Sequence, residues 1–218
     1  ILFSLKMKII PYYAAAQKVV LFSPPHTEFF ARQRTFTQKK RLYKPAPKCY
    51  TFSMQNLIFI NGTMGVGKSA VCRELKKILP DNVFLEGDHC WDMTPFTVNE
   101  TTCRMVLGNI CALLNGFLKS GMFENILFCW VMHERGIIDE ILSQLSGDFR
   151  FHLITLTCSE QELLRRLHGD IAAGLRDQDV IARSLERAAH YKNMDSVCID
   201  TTNLPPLSTA ERIFSLLY

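Results

Sequence analysis

A glycine-rich stretch, residues 62–69, constrains the fold of this chain more than any other segment, and it reads Gly-Thr-Met-Gly-Val-Gly-Lys-Ser. It matches the pattern GxxxxGK[ST] of a phosphate-binding loop. An apolar run, residues 57–60, precedes it, and an amphipathic segment, residues 70–79, follows it. Because a strand, such a loop and a helix occur in this order in α/β proteins, the sequence predicts a parallel sheet with a phosphate site at a strand end.

Each part of this loop has a chemical role in holding phosphate. The glycines let the backbone curl so that successive N–H groups face one anion, and the helix that follows adds its positive dipole end. Lys68 adds a charge at the β- and γ-phosphates, and the Ser69 hydroxyl is offered to Mg²⁺. We therefore predict that nine residues bind ATP: Gly62, Thr63, Met64, Gly65, Val66, Gly67, Lys68, Ser69 and Ala70.

The charge of the chain is divided unevenly between two regions. Of 25 basic and 21 acidic residues, ten basic residues and one acidic residue fall in residues 1–53, which leaves residues 54–218 with a net charge of −5. Because nucleic-acid binding requires clustered positive charge, none is expected for the acidic region. We predict a domain over residues 54–218 and, before it, a basic N-terminal extension over residues 1–53 that is disordered or not native.

The extension contains five prolines and no sustained helical or strand period. Met54 stands three residues before the first predicted strand, where a compact domain is expected to start. The alternative interpretation is a basic arm for membranes or nucleic acid, or a targeting peptide. Lysines and a proline interrupt its apolar stretch, residues 1–22, so no membrane span is predicted there.

Eight cysteines are scattered along the chain without a CxxC pair. Their spacing indicates neither a zinc site nor a disulfide framework. Several lie within apolar patterns, where a reduced thiol packs as a small apolar group. The predicted compartment is therefore the reducing cytoplasm.

Four more strands, each followed by a helix, are predicted after the loop. The strands cover residues 83–87, 125–132, 151–157 and 197–201, and the helices residues 98–119, 134–146, 159–167 and the stretch from 208 onward. Capping-box patterns at Ser159 and Ser208 mark the starts of the last two helices. Five strands alternating with helices predict the three-layer α/β P-loop NTPase fold with a five-stranded parallel sheet.

The stretch from Met54 to Tyr218 resembles the small P-loop kinases of the nucleotide-kinase-like fold, in the branch of gluconate kinases, shikimate kinases and antibiotic phosphotransferases. The resemblance rests on four pieces: residues 62–69, the strand end Phe84-Leu-Glu-Gly-Asp88, the strand at 126–132 and the basic segment 165–187. It implies an ATP- and Mg²⁺-dependent kinase of a small hydroxylated molecule, with residues 165–187 as a mobile helical lid.

Departures from the family pattern leave the acceptor open. No arginine follows Asp88 in the way of shikimate kinases, and the third strand ends in Cys129-Trp-Val-Met-His133-Glu134-Arg135 in place of the Cys-Ser-Ala-Leu-Lys of gluconate kinases. A Walker-B aspartate is also missing at that strand end. We therefore expect Ser69, Asp88 and water to surround Mg²⁺.

The acceptor site is predicted from polar residues that follow two strands. Asp88 is the candidate general base, because a carboxylate beside the incoming hydroxyl can take its proton; the alternative is a helix cap or turn. His89 and Trp91 lie on the same loop, and His133 and Arg135 end the third strand. We predict that these four side chains line the acceptor pocket. The alternatives are that Trp91 covers the core edge and that His133 belongs to an ordinary turn.

Phosphoryl transfer also requires cations that neutralise charge on the phosphates. Five arginines lie in the lid segment: Arg165, Arg166, Arg176, Arg183 and Arg187. Most arginines on a solvated helix pair with acidic neighbours and contribute little to stability. Arg166 and Arg176 are predicted to reach the phosphates and to act in catalysis together with Lys68 and Asp88.

The sequence thus favours an ATP-dependent phosphotransferase that acts on a hydroxyl of a small molecule, as a monomer or homodimer without membrane partners. One alternative is a nucleoside or nucleotide kinase with a base-stacking acceptor pocket. Another is a nucleotide-binding NTPase or regulatory module without kinase activity. A GTPase is disfavoured, because residues 155–158 stand where an Asn/Thr-Lys-x-Asp guanine motif would follow the fourth strand.

A chain that starts at Met54 is expected to match the full chain in melting temperature and in ATP affinity, because residues 1–53 offer no periodic apolar face for docking. Calorimetry of both proteins, by thermal scan and by ATP titration, measures the two quantities. A drop of several degrees on truncation would show that the extension belongs to the fold.

Overall fold

The first strand is buried along its whole length, because it has a partner on each edge and helices on both faces. The structure is a computed structural model that describes residues 54–218, and the predicted extension lies outside the described residues. Five parallel strands form one sheet in the order β2-β3-β1-β4-β5. Their bounds are β1 Gln55–Asn61, β2 Asn82–Glu86, β3 Asn125–Cys129, β4 Phe149–Thr157 and β5 Val197–Asp200.

Six α-helices connect or follow these strands within residues 54–218. They are α1 Lys68–Ile78, α2 Glu100–Ser120, α3 Arg135–Ser143, α4 Glu160–Ala172, α5 Val180–Ala188 and α6 Pro206–Leu217. Two short 3₁₀ helices, Gly87–Trp91 and Ala189–Asn193, follow β2 and α5. The predicted three-layer α/β fold with a five-stranded parallel sheet is confirmed.

Alternation along the central strands divides the core into two halves, because successive side chains point to opposite faces of a sheet. On one face, Leu57 and Phe59 pack with the buried residues of α2 and α3. On the other face, Ile58 and Ile60 pack with the buried residues of α1 and α6. The sheet is therefore the middle layer, and its carboxyl edge stays open for ligands.

Helix α2 is long and apolar enough to cross a membrane, and it is the one helix within residues 54–218 that is so by length and composition. Its apolar face serves the core, however. Val106, Ile110 and Leu114 are completely buried, and they belong to the cluster that covers one face of the sheet. Packing in the core therefore accounts for the apolar residues on this face of α2.

The structure corrects several predicted boundaries. β3 ends at Cys129, because residues 130–132 leave the ladder, and α3 covers only Arg135–Ser143. The predicted cap at Ser159 is confirmed, since its side chain accepts a hydrogen bond from the N–H of Glu162. The predicted cap at Ser208 is wrong. Helix α6 starts at Pro206 with proline in its first turn, where the missing N–H costs nothing.

The cap that the structure adds is Asn99, which precedes α2. Its side chain accepts from the N–H of Thr102 at 2.9 Å, and the Thr102 hydroxyl accepts from the N–H of Asn99 at 3.0 Å. We expect Asn99→Ala to lower the free energy of unfolding by about 1 kcal/mol, as loss of an N-cap typically does. Urea denaturation followed by circular dichroism measures this change.

Ser208→Ala is the matched control, because Ser208 lies in a helix interior and does not cap it. Its effect is expected to stay below about 0.5 kcal/mol, as for an ordinary surface substitution. Equal losses in the two variants would contradict the assignment of the caps.

Candidate active site

The phosphate loop connects β1 to α1, and three of its glycines have backbone angles that other residues rarely adopt. Gly62, Gly65 and Gly67 have φ values of 140°, 81° and 105°. A β-carbon on Gly62 would lie 2.6 Å from the carbonyl oxygen of Leu156, and one on Gly65 would lie 2.5 Å from the Leu167 side chain. The loop therefore requires glycine both for its turns and for its close packing against β4 and α4.

Lys68 is the first residue of α1, and its side chain folds back over the loop. Its Nζ donates to the carbonyl oxygens of Gly62 and Thr63, at 3.0 Å each. Burial lowers the pKa of Lys68, while nearby acidic groups such as Asp88 act in the opposite direction. The ammonium group thus lies at the mouth of the loop, where a phosphate bound by the loop would meet it.

Ser69 contacts a carboxylate that the sequence analysis did not single out. Its hydroxyl donates to Glu86, the last residue of β2. A hydroxyl oxygen and carboxylate oxygens are ligands that suit Mg²⁺, so the donor set fits this ion. The signal was present in the sequence, since Glu86 is the last residue of the strand and Asp88 follows it two positions later. Only Asp88 was predicted to bind Mg²⁺.

Asp88 lies in the 3₁₀ helix after β2, where its side chain keeps an exposed surface although protein atoms crowd around the carboxyl group. This crowding raises the pKa of Asp88, and Glu86 adds to the effect. Lys68, Arg176 and the Trp130 indole N–H act against it, since each favours the ionised carboxylate. The charges of Lys68, Glu86 and Arg176 therefore all act on the carboxyl group of Asp88.

The two arginines singled out in the lid have different environments. Arg166 donates to the carbonyl oxygen of Val66 at 2.8 Å and to that of Thr201 at 2.7 Å. It also forms an ion pair with Glu162 at 2.7 Å. Its guanidinium is thereby tied to the backbone of the loop at Val66 and to Thr201.

Arg176 lies in the loop between α4 and α5, where its Nε donates to Asp170 at 2.7 Å. Its charge also acts on Lys68 and on Asp88, which places it toward the centre of the site. Its side chain is 17% exposed although the chain around it is open. Of the two predicted phosphate-binding arginines, Arg176 is therefore the one whose charge acts on the other groups of the site.

A cavity of about 380 Å³ opens beside the site, between the end of β3 and the segment after α5. Its lining consists of His133, Arg135, His190, Asn193, Met194 and Asp195. The rings of His133 and His190 meet edge to face at 5.6 Å. Burial lowers the pKa of His133, and the positive charge of Arg187 adds to this. Two of the predicted acceptor residues, His133 and Arg135, thus share one cavity.

The other two predicted acceptor residues lie elsewhere. Trp91 is 5% exposed and packs in the core against Phe96, which agrees with the alternative that it covers the core edge. His89 is exposed on the 3₁₀ helix. Neither residue lines the cavity of His133. These residues were grouped with Asp88 only because they are close to it in sequence. On one short helix, neighbouring side chains point in different directions, and the three residues therefore do not share one site.

The chain belongs to the family described as an AAA domain, whose pattern matches residues 58–189. Its fold is the P-loop kinase-like fold. Comparison with curated protein sequences finds no match.

Solved structures of three proteins share this fold. The tunicamycin resistance protein of Deinococcus radiodurans is 20% identical with a TM-score of 0.60, over 75% of this chain and 95% of that one. A gluconokinase from Sinorhizobium meliloti 1021 is 18% identical with a TM-score of 0.54, over 77% and 98%. A shikimate kinase from Acinetobacter baumannii, in complex with shikimate, is 21% identical with a TM-score of 0.54, over 76% and 93%.

The raised pKa of Asp88 gives a prediction for stability. A carboxyl whose pKa is raised in the folded state costs nothing below its unfolded pKa and destabilises the fold as the pH rises through the folded pKa. We therefore expect Asp88→Asn to be more stable than the natural protein at neutral pH and equally stable near pH 3. Thermal unfolding at a series of pH values measures this, and a variant less stable at neutral pH would contradict it.

Proposed function

We propose that the protein is an ATP-dependent phosphotransferase that transfers the γ-phosphoryl group to a hydroxyl of a small molecule. The observation that carries this proposal is the phosphate loop, with three glycines at positive φ and the Lys68 side chain folded over it. The charges of Asp88 and Arg176 are near enough to act on Lys68. Phosphoryl transfer depends on placing reactants in line and on neutralising charge, and these three groups supply a cation, a base and a second cation. The shared fold of a gluconokinase and a shikimate kinase supports the same class of reaction.

In this mechanism the loop holds the triphosphate through its backbone N–H groups and the start of α1. Lys68 moves from the carbonyl oxygens that it now contacts to the β- and γ-phosphates. Arg176, held by Asp170, stabilises negative charge on the transferring group. Arg166 keeps the loop in place through Val66, so its role is to position the loop, in contrast to the direct phosphate contact predicted from the sequence.

Asp88 accepts the proton of the acceptor hydroxyl as the phosphoryl group arrives. Its raised pKa makes it a stronger base than an ordinary aspartate, while Lys68 and Arg176 still favour its ionised form at neutral pH. The exposed surface of Asp88 leaves room for the acceptor. These features support a base and disfavour a simple helix cap, since the 3₁₀ helix that contains Asp88 has no side-chain cap.

Mg²⁺ would be held by Ser69 and Glu86, with Asp88 nearby, and would neutralise charge on the phosphates when bound. This assignment replaces part of the predicted metal site, because the Ser69 hydroxyl already contacts Glu86. Asp88 is then released for proton transfer. Glu86, at the end of β2, would then supply the carboxylate ligand that a Walker-B aspartate at the end of β3 would otherwise provide.

The cavity lined by His133 and Arg135 is the proposed acceptor pocket. Asp88 is not one of its lining residues, so the reacting hydroxyl would extend from the cavity toward Asp88. The size of the cavity suits a small molecule, and five of its six lining residues have polar side chains. Trp91 is buried in the core, so this predicted acceptor residue is not placed to stack on a nucleobase. The proposal therefore favours a hydroxylated polar acceptor over a nucleobase. We also propose that residues 54–218 form the catalytic domain, that residues 1–53 are an extension to it, and that the protein works in the cytoplasm.

An assay of ADP release, stimulated by a panel of sugars, sugar acids, nucleosides and aminoglycosides, tests the activity. With an active acceptor, Asp88→Asn is expected to lower kcat by roughly 10²- to 10⁴-fold, the loss typical of a missing general base. ATP affinity without Mg²⁺ is expected to stay near normal in this variant, as calorimetry would show. Near-normal kcat would leave Asp88 a structural residue, and no stimulation by any acceptor would contradict the proposed class of reaction.

A further inference from the structure

Residues 61–64, at the start of the phosphate loop, contact residues 184–194 one after another. We call residues 184–194 the linking segment. It covers the second half of α5 and the 3₁₀ helix that follows. Asn61 donates to the sulfur of Met194 at 2.8 Å. Tyr191 is 1% exposed, and burial raises its pKa while Arg187 and the backbone of Gly62 act in the opposite direction. The loop and the linking segment therefore share a buried boundary.

The strongest of these contacts are the hydrogen bonds between Thr63, Met64 and Ser184. The Thr63 hydroxyl donates to the carbonyl oxygen of Ser184 at 2.7 Å, and the Ser184 hydroxyl donates to the carbonyl oxygen of Met64 at 2.6 Å. The two hydroxyl oxygens lie 3.0 Å apart. Thr63 is 4% exposed and Ser184 is completely buried, so water does not compete for these bonds.

The other end of the linking segment forms a wall of the acceptor cavity. His190, Asn193 and Met194 belong to it, and His190 meets the ring of His133 from across the cavity. Asn61 bridges the two walls, because its amide also donates to the carbonyl oxygen of Met132 at 3.4 Å, next to His133. A displacement of Thr63 or Gly62 can therefore be transmitted through packed side chains to His133 and His190.

Lys68 supplies the displacement. Without nucleotide its Nζ donates to the carbonyl oxygens of Gly62 and Thr63. When phosphates occupy the loop, the ammonium group turns to them, because a charge-assisted bond to phosphate is stronger than one to a neutral carbonyl. The peptide groups of Gly62 and Thr63 lose these partners at that moment. They are the same residues that contact Tyr191 and Ser184.

We propose that the Thr63–Ser184 contact couples the nucleotide site to the acceptor cavity, so that nucleotide binding changes the surroundings of His133 and His190. Thr63 and Ser184 are positioning residues in this account, since they act through Lys68 and the linking segment. The inference rests on the proposed function, because it requires a nucleotide in the loop. By linkage, an acceptor in the cavity changes nucleotide affinity by the same factor that nucleotide changes acceptor affinity.

Histidine NMR tests the coupling without an acceptor or an activity assay. The Cε1–H resonances of the full chain are recorded at pH 8, where an ordinary histidine is neutral, with and without saturating ADP. His133→Gln and His190→Gln assign the two signals. We expect ADP to shift both signals and to leave that of His168, which is exposed on α4, unchanged.

Two variants of Thr63 separate the hydroxyl from the shape of the side chain. Thr63→Val has nearly the same volume but no hydroxyl, and we expect it to lose at least about half of the ADP-induced shifts. Because Thr63 also belongs to the phosphate loop, the ADP affinity of this variant is measured by calorimetry and the shifts are compared at saturating ADP. Thr63→Ser keeps the hydroxyl and should keep the shifts. Thr209→Val is the structural control, because Thr209 is a buried threonine that donates to the carbonyl of Pro205, far along the chain from the loop.

The outcomes are distinct. ADP binding with unmoved His133 and His190 signals would overturn the coupling and leave the proposed function standing. Full shifts in Thr63→Val would overturn the role of the contact. If Thr63→Val does not fold, Ser184→Ala removes the other hydroxyl and is judged by the same shifts. Failure of the natural protein to bind ADP would overturn the proposed function and this inference together.

Discussion

The close approach between the phosphate loop and the elements that surround it is the constraint on which the site depends. Gly62 lies against the backbone of β4, and Gly65 lies against Leu167 of α4, at distances that leave no room for a side chain. Because the loop is clamped in this way, its backbone N–H groups are arranged before any ligand arrives. An arrangement made in advance needs little reorganisation when phosphate binds.

Burial and charge act against each other around this loop. Burial lowers the pKa of Lys68 and raises that of Asp88, so each group alone would be pushed toward its neutral form. Each also favours the charged form of the other, and Arg176 adds a second cation beside Asp88. A site with such opposed effects is typical of catalytic groups, whose pKa values must lie near the working pH.

The lid has less freedom than its sequence indicates. Residues 165–187 resemble a mobile lid, yet Arg166 is bonded to the loop through Val66, and Ser184 is bonded to it through Met64. The open part is the stretch between α4 and α5, where Leu175 is 61% exposed and Gly174 has a φ of 70°. Arg176 stands on this stretch, so a short loop that carries one arginine is the element best suited to move over a nucleotide.

The sequence by itself determined the phosphate loop, the five parallel strands and the residues of the central strand that are buried. These features follow from local patterns: glycines where the backbone turns, and apolar runs where a strand has helices on both faces. Asp88 was predicted as a site residue on the same basis, because a carboxylate directly after a strand falls at the ligand edge of a parallel sheet. The error at Ser208 arose in the same way, since a capping pattern inside a helix looks the same as one at its start.

The tertiary structure decided which distant residues meet. Ser69 bonds to Glu86, Arg166 to Val66 and Ser184 to Met64, although 17, 100 and 120 positions separate the bonded residues. No periodicity or spacing encodes such pairs, because they depend on the order of strands in the sheet and on the path of the chain between them. The sequence thus located the phosphate loop. The packing of α4, α5 and β2 around the loop determined which side chains contact it.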